Sequence, residues 1–250
     1  MQDYDPFSGT DAMAFGPDRS LVIGQLGQSL DGRIATPTGD SKYISGACAL
    51  DHLHRLRAAV DAVVVGVATA LADDPLLNVR RVPGRHPVRV IIDPKGRVDP
   101  ALRCLRDDGV RRLILRGTQS RAVAAPPGTQ CLFLPLDADG RMAPADILAC
   151  LRGEGLARIL IEGGPQTLAA FIAADCVDRL HVVVSPVILG SGRTGLDLAP
   201  IATLSEARRP HAEVTVFPDG DVLFDCDLRR TARTEESHGP APDHALCATG

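Results

Sequence analysis

Short apolar runs recur along the chain, each closed by glycine, proline or a polar residue. Residues 21–26 (LVIGQL), 62–65 (AVVV, then Gly66), 88–92 (VRVII, then Asp93-Pro94), 113–115, 131–134, 159–161 and 180–185 read as strands. Runs this short and this rich in Val, Ile and Leu suit strands buried on both faces. Between them the apolar period lengthens to that of a helix. Over 47–59, Leu50, Leu53, Leu56 and Val60 form one stripe, with His54 and Arg57 beside it and Ser45 placed as N-cap. A short helix over 68–71 meets Asp73-Asp74-Pro75, where the proline biases Asp74 toward an extended backbone. Pro144 suits the first turn of a helix over 144–151, and Leu168, Phe171 and Ile172 recur at helical spacing after Gly163-Gly164. Near the end, 214–217 and 222–227 flank Pro218-Asp219-Gly220, a hairpin signal. Strands alternate with helices up to that hairpin. The pattern therefore predicts an α/β layer fold with a mainly parallel central sheet and an antiparallel C-terminal hairpin. No repeat or internal boundary interrupts residues 21–228, which read as one domain. A loosely held arm (1–20) precedes it, and a polar, Pro- and Gly-containing tail (229–250) reads as disordered. The pattern is weakest over 97–127.

Composition narrows the function classes. The chain has 250 residues, 45% of them apolar and 23% charged, as in ordinary globular proteins. No stretch approaches the ~18–20 continuous apolar residues that span a bilayer. The first twenty residues are acidic and polar, without the basic start and apolar core of a signal peptide. A net charge of −4, 3% aromatic residues and no tryptophan speak against a nucleic-acid partner or a base-stacking platform. The expectation is a cytoplasmic protein with neither membrane nor nucleic acid as partner. The seven cysteines are odd in number and form no CxxC, so neither a zinc ribbon nor a thioredoxin-type site is indicated.

Two polar stretches carry the candidate chemistry. RILIEGGPQTLAA (158–170) is a strand, two glycines and a helix. Free backbone N–H groups and the positive end of the helix dipole make such a corner an anion site, although a plain strand-to-helix turn has the same look. The second, GQSLDGRIATPTGDSKYISG (27–46), is long for a simple connection. Open α/β sheets bind ligands at the carboxyl ends of their strands. Here those ends carry Gly27, Thr69, Asp73 and residues 162–164, with Arg57 and Arg80 in reach. The planar fork of arginine suits a phosphate. No GxGxxG opens a helix after the first strand, and there is no GxxxxGK[ST], GxSxG, HExxH or zinc-deaminase signature. His52 and His54, two apart on a helix, read as a solvated face, and no metal is called for.

SLDGRIAT with GDSKYISG, then HRLRAAVDAVVVGVATALADDPLLNVR, then ILIEGGPQTLAAF, then VDRLHVVVSPVILGSGR occur in this order. Together, over about residues 21–193, they resemble the riboflavin-pathway pyrimidine reductases, the reductase domain of RibD-type proteins. The resemblance implies a dihydrofolate-reductase-like three-layer fold and an NADPH-dependent oxidoreductase. The implied reaction reduces the ribosyl group of 5-amino-6-(5-phosphoribosylamino)uracil to a ribityl chain. It further implies that Ser41, Arg57, Leu77 and Arg80 bind this phosphorylated substrate, with the two arginines on its phosphate. Glu162 is implied as the catalytic carboxylate near the reacting sugar. Gly27, Tyr43, Thr69 and Asp73 match cofactor positions. Gly164, Pro165, Gln166, Thr167, Leu168, Ala169 and Ala170 match the loop and helix turn that receive cofactor phosphates. The loop at 190–193 is also expected near the cofactor, and a homodimer is implied.

Three positions depart from the resemblance. Gln25 stands where bacterial bifunctional proteins usually have lysine, Tyr43 where tryptophan is frequent, and Pro94 where a small hydroxyl residue is common. No deaminase motif occurs, so a separate deaminase is expected to supply the substrate. Gln25 opens a second reading, with the same fold and cofactor but another small pyrimidine- or pterin-like substrate. A third, a nucleotide-binding module without activity, is opposed by Glu162, Arg57 and Arg80.

Overall fold

The computed structural model describes residues 20–42, 44–120 and 125–229. The arm and the tail lie, but for one residue each, outside the described residues, as does Tyr43. In chain order the elements are β1 (Leu21–Ser29), β2 (Arg33–Ala35), α1 (Ala47–Ala59), β3 (Ala62–Gly66), α2 (Val67–Asp73), β4 (Val88–Ile92), β5 (Arg112–Gly117) and β6 (Thr129–Leu134). There follow α3 (Pro144–Gly153), β7 (Arg158–Glu162), α4 (Pro165–Ala173), β8 (Arg179–Ser185), β9 (Arg193–Thr194), β10 (His211–Val216) and β11 (Val222–Asp227).

Nine strands form one sheet in the order β10-β11-β8-β1-β7-β3-β4-β5-β6. From β8 to β6 every neighbour is parallel; β11 and β10 close the other edge antiparallel. Alternate residues of a strand face opposite sides of a sheet, and the central strands fill both. Leu21, Ile23, Val63, Val65, Ile91 and Leu160 pack with Leu56 of α1 and Ala70 of α2. Val22, Leu26, Val64, Val90, Ile159 and Ile161 pack with Leu151 of α3 and with Leu168 and Phe171 of α4. The result is helix, sheet, helix in three layers, which is why the strands appear in sequence as unbroken apolar runs. On the far face of the closing hairpin no element among the described residues covers Val214, Val216 and Phe224, which are exposed. No helix among the described residues is long and apolar enough to cross a membrane.

Several local expectations are corrected. Strand β1 runs on to Ser29, because residues 26–29 pair with Val182–Ser185 of β8. The 27–46 stretch therefore starts as strand, and its middle forms a small ribbon, β2 paired with β9. Asp74 is left-handed (φ 39°) rather than extended, since its N–H closes α2 onto the Ala70 carbonyl at 3.1 Å. Aspartate tolerates that conformation better than most residues. Ser45 does not cap α1. The N-cap is Gly46, and the caps arrive from the hairpin turn. Asp221 accepts the Gly46 N–H at 2.7 Å and Asp219 the Cys48 N–H at 2.8 Å.

The buried face of α1 is also rotated from the expected stripe: Ala49, His52, His54, Leu56 and Arg57 are buried, whereas Leu50 is 36% exposed. His52 and His54 are thus interior groups rather than a solvated face. Within 97–127, the buried Arg89 and Arg112 donate to the carbonyls of Cys104 and Leu105, each at 2.9 Å, and pair with Asp108 and Asp107. Those two arginines add to the buried Val98, Leu102, Cys104 and Leu105, which pack into the core without a regular period.

Candidate active site

The carboxyl ends of β1, β3 and β7 lie side by side, and a cavity of about 580 Å³ opens over them. Gln25 and Glu162 are direct neighbours across the β1–β7 ladder, and both line it. The structure brings Gly27, Ser41, Thr69, Asp73, Leu77 and Glu162 to this cavity, together with residues 164–167. Ile34 and Ala35 of β2 and Arg193 of β9 add the ribbon as a further wall. The ribbon is anchored by Asp31, which accepts from Ser29 Oγ, Leu189 N and Gly190 N, and by Arg33 Nε, which donates to Gly190 O at 3.1 Å. The Ser29 hydroxyl and these backbone N–H groups hold the Asp31 carboxyl at about 2, below the usual range.

Glu162 ends β7 with 9% of its surface exposed. Arg57 of α1 grips both its oxygens: Nε donates to Oε1 at 2.7 Å and an Nη to Oε2 at 2.6 Å. The remaining Nη donates to the Asn78 carbonyl at 3.1 Å. Burial would lower the Arg57 pKa, but the Glu162 charge outweighs it and leaves it raised. This corrects the role expected for Arg57. All three of its nitrogens are engaged and its side chain is 7% exposed, so no fork is left for a phosphate.

Arg80 differs. It is exposed, does not line the cavity, and uses one Nη on Asn78 Oδ1 at 3.0 Å, which leaves the rest of its fork open. Its backbone N–H donates to His54 Nδ1 at 3.1 Å. Burial, and then the charges of Arg57 and Arg80, push the His54 pKa down to about 4, so near neutral pH it is an uncharged acceptor. Between these groups Leu77 is buried at φ 51°. A left-handed leucine is sterically costly and persists only where its surroundings fix it, here beside the cavity.

The Gly-Gly corner is less open than the sequence suggests. The Gly164 N–H is taken by Thr69 Oγ1 at 2.8 Å, Pro165 has no N–H, and the N–H groups of Thr167 and Leu168 return to the Gly164 carbonyl. The first-turn donor left over is Gln166, which lines the cavity. The glycines allow close approach. A Cβ on Gly164 would lie 2.8 Å from Thr69 Oγ1, and one on Gly66 would lie 2.5 Å from Thr167 Oγ1. Leu168 faces the core with no exposure and touches neither cavity, because helical spacing places it under the turn. Ala169 and Ala170 lie on a second cavity beyond α4. The cofactor contact expected at Leu168 is corrected accordingly, whereas Ala169 and Ala170 stand open on that second cavity.

The sequence gives no sign of the Arg57–Glu162 pairing, since 105 residues separate its members. Likewise unforeseen is a polar cluster on the other flank of α1. His52 Nε2 and His181 Nδ1 share a hydrogen bond of 3.0 Å, and His181 Nε2 lies 3.1 Å from Asp225 Oδ1. Arg179 donates to both oxygens of that carboxylate, at 2.9 and 2.6 Å. Among the described residues no group of three or more His, Cys, Asp or Glu is arranged to hold a metal ion.

Comparison with known proteins accords with this arrangement. The model of a family described as the RibD C-terminal domain matches residues 20–217. The 2,5-diamino-6-ribosylamino-4(3H)-pyrimidinone 5′-phosphate reductase of Methanothermobacter thermautotrophicus is 36% identical over 205 residues, which cover 76% of this chain and 90% of that protein. The riboflavin biosynthesis protein RibD of Aquifex aeolicus is 33% identical, over 72% of this chain and 50% of its own length. The chain thus spans about half of the RibD protein it matches. Among solved structures, the Thermotoga maritima diaminohydroxyphosphoribosylaminopyrimidine deaminase/5-amino-6-(5-phosphoribosylamino)uracil reductase superposes with a TM-score of 0.72 at 28% identity. That match covers 84% of this chain and 57% of the Thermotoga chain.

Proposed function

The chain belongs to the RibD C-terminal domain family, and on that footing we propose that it is an NADPH-dependent reductase of riboflavin biosynthesis. The proposed reaction converts the ribosyl group of 5-amino-6-(5-phosphoribosylamino)uracil to the ribityl chain. The observation that carries the reading is Glu162, held by both oxygens in a cavity that the adjoining Gly163, Gly164 and the start of α4 also line.

A nicotinamide dinucleotide fits the residues present. Gly66 and Gly164 let Thr167 and Thr69 pack close, which holds the corner in place, and the first turn of α4 offers the Gln166 N–H and the helix dipole to a diphosphate. When bound, the nicotinamide supplies the hydride that C1′ of the sugar receives. Gly27, Thr69, Asp73 and residues 164–167 all line the cavity; in this reading the first three would hold the nicotinamide half and the last four the diphosphate. Ser41, Leu77 and Glu162 line the same cavity and in this reading would bind the substrate. Glu162, fixed by Arg57, is the catalytic carboxylate, presenting negative charge where positive charge develops at C1′. Arg57 is a positioning residue, and Arg80, with its open fork, takes the 5′-phosphate.

Residues 21–228 act in this reading as one reductase domain. A second copy of the chain covers the exposed Val214, Val216 and Phe224 as a homodimer, and the protein works in the cytoplasm on a charged, phosphorylated intermediate.

The archaeal relative's name favours a second reading, in which the substrate still carries its 2-amino group. One experiment tests both. Purified protein is given NADPH with either ribosylaminopyrimidine phosphate, and loss of nicotinamide absorbance is followed. Oxidation with the uracil form supports the first reading, and oxidation with the diamino form alone supports the second. No oxidation with either, despite NADPH binding, defeats both.

A further inference from the structure

Helix α1 makes two polar contacts with the strands beneath it, and they fall on opposite sides of its apolar stripe. In the sheet, Gln25 of β1 stands between His181 of β8 and Glu162 of β7 as the register partner of both. His52 of α1 reaches His181, and Arg57 reaches Glu162. Neighbouring strands are about 4.8 Å apart, so the two contacts are rooted in strands about 10 Å apart. At ~100° per residue, positions 52 and 57 stand about 140° apart around the helix axis. Ala49 and Leu56, both buried, lie between them.

His52 belongs to a line of groups closed to water: His52, His181 and Asp225 are all buried. The Asp225 carboxylate only accepts, so His181 Nε2 donates to it across 3.1 Å, and His181 Nδ1 is left to accept the His52 Nε2–H at 3.0 Å. Arg179 fixes the far end by its hold on both Asp225 oxygens. Phe217 flanks the His52 ring at 5.9 Å, and Asp219 and Asp221 of the same hairpin hold the first turn of α1. An apolar side chain would fill the space at position 52 as well. Apolar contact has no direction, however, whereas a hydrogen bond weakens steeply once misaligned. His52 therefore fixes the rotation of α1 as well as its burial.

We propose that His52, held by His181 and Asp225, is a positioning residue for Glu162: it stops α1 from rolling and so keeps Arg57 where it grips both carboxylate oxygens. The consequence for turnover rests on the reductase reading above. A roll of about 10° moves a group at the outer radius of a helix, about 6 Å, by about 1 Å. That is enough to break one arm of the Arg57 grip, whose two bonds measure 2.7 and 2.6 Å. A misplacement of about 1 Å can slow a reaction roughly 100-fold. His52 lines neither cavity, so its effect reaches the site through the helix.

The test compares H52L and H52Q in the full chain. Leucine fills the space without a donor; glutamine carries an amide N–H₂ to the place of His52 Nε2. Two quantities are read. One is exchange of the Arg57 Nε–H with water, followed by proton–nitrogen NMR, the signal being assigned by its loss in R57K. The other is steady-state reduction of each ribosylaminopyrimidine phosphate with NADPH. H52L should speed the exchange at least ~10-fold and lower kcat roughly 10- to 100-fold, with KM and NADPH affinity within about 2-fold of native. H52Q should stay near native in both. If H52L does not fold, H52M, whose side chain adapts to its surroundings and has no donor, is read in its place. Unchanged exchange in the donor-free variant overturns the inference. So does an H52Q as impaired as H52L, or a fall in kcat matched by an equal loss of NADPH affinity, the mark of general damage. If the native protein reduces neither substrate, the reductase reading fails, while the exchange measurement still decides whether His52 holds Arg57 in place.

Discussion

Helix α1 is flanked by two arginine–carboxylate pairs that look alike in isolation and differ in what surrounds them. Arg57–Glu162 and Arg179–Asp225 are both gripped through two oxygens, with side-chain exposures of 7% and 10% in the first and 5% and 8% in the second. Glu162, however, lines a cavity, and Asp225 does not. His181 and His52 stand behind Asp225, with His52 stacked on His181 at 5.2 Å and tilted against Phe217. Burial would raise the Asp225 pKa, but the hydrogen bonds from His181 and Arg179 outweigh it and hold it at about 2. The same pairing therefore serves two ends. Enclosed by protein, it ties the hairpin to α1 and β8; open to a cavity, it aims a charged group at whatever enters.

Substitutions should separate the two. The largest effect is expected from Asp225→Asn, which strands Arg179 and His181 in the interior. Breaking one partner of a buried pair costs about 3–5 kcal/mol, to be read from urea unfolding. A loss below about 1 kcal/mol, the level of an exposed pair, would show that the hairpin side is wetter than its burial implies. Glu162→Gln should leave the fold closer to native, because the freed Arg57 can be hydrated through the cavity, yet reduce turnover by ~100-fold or more, as expected for loss of a group acting on the reacting centre. Comparable stability losses in both variants, with turnover unaffected in the second, would erase the distinction. Arg80→Ala should raise KM for the phosphorylated substrate roughly 10-fold while NADPH affinity stays. Equal damage to both would move Arg80 away from the phosphate.

The smallest effect is a difference in pH dependence. Burial, followed by the charge of His181, pushes the His52 pKa from 6.5 down to about 3. The unfolded chain thus takes up that proton before the folded one does. The contribution of His52 to stability is complete above pH 6.5 and is lost progressively as pH falls toward about 3. Asp225 adds a further loss between its ordinary 3.8 and about 2. His52→Gln should flatten the decline between pH 6.5 and 3, leaving the part due to His54, whose pKa lies at about 4. Chemical unfolding at several pH values measures this, and an unchanged slope would mean His52 is not held neutral.

Much of the framework is legible along the chain. The spans of α1 and β4, the proline start of α3 and the hairpin turn agree with the pattern, because each depends on local preference or on short-range period. The face that α1 buries does not. Leu50-Leu53-Leu56-Val60 and Ala49-His52-Leu56-Val60 have nearly the same spacing, and only the partners lying opposite decide which is inside. The helix caps show the same limit. Ser45 has the right chemistry and position, yet the carboxylates of Asp219 and Asp221, more than 170 residues away, take the N–H groups. In the candidate site, polar residues at strand ends converge because a parallel sheet gathers its carboxyl ends on one edge, which motifs and order can anticipate. How those residues then pair depends on side chains meeting across layers.

By itself the sequence determined the layered α/β plan, the strand ends that carry polar groups and the ordered motifs of the reductase family, since these reside in local periodicity and residue identity. Tertiary structure alone decided that Arg57 would hold Glu162 rather than stand free for a phosphate, that His52 would be buried beside His181, and that Leu168 would be core rather than cleft. Each of those outcomes turns on distances of a few ångströms between segments far apart in the chain, and a linear pattern contains no such distances.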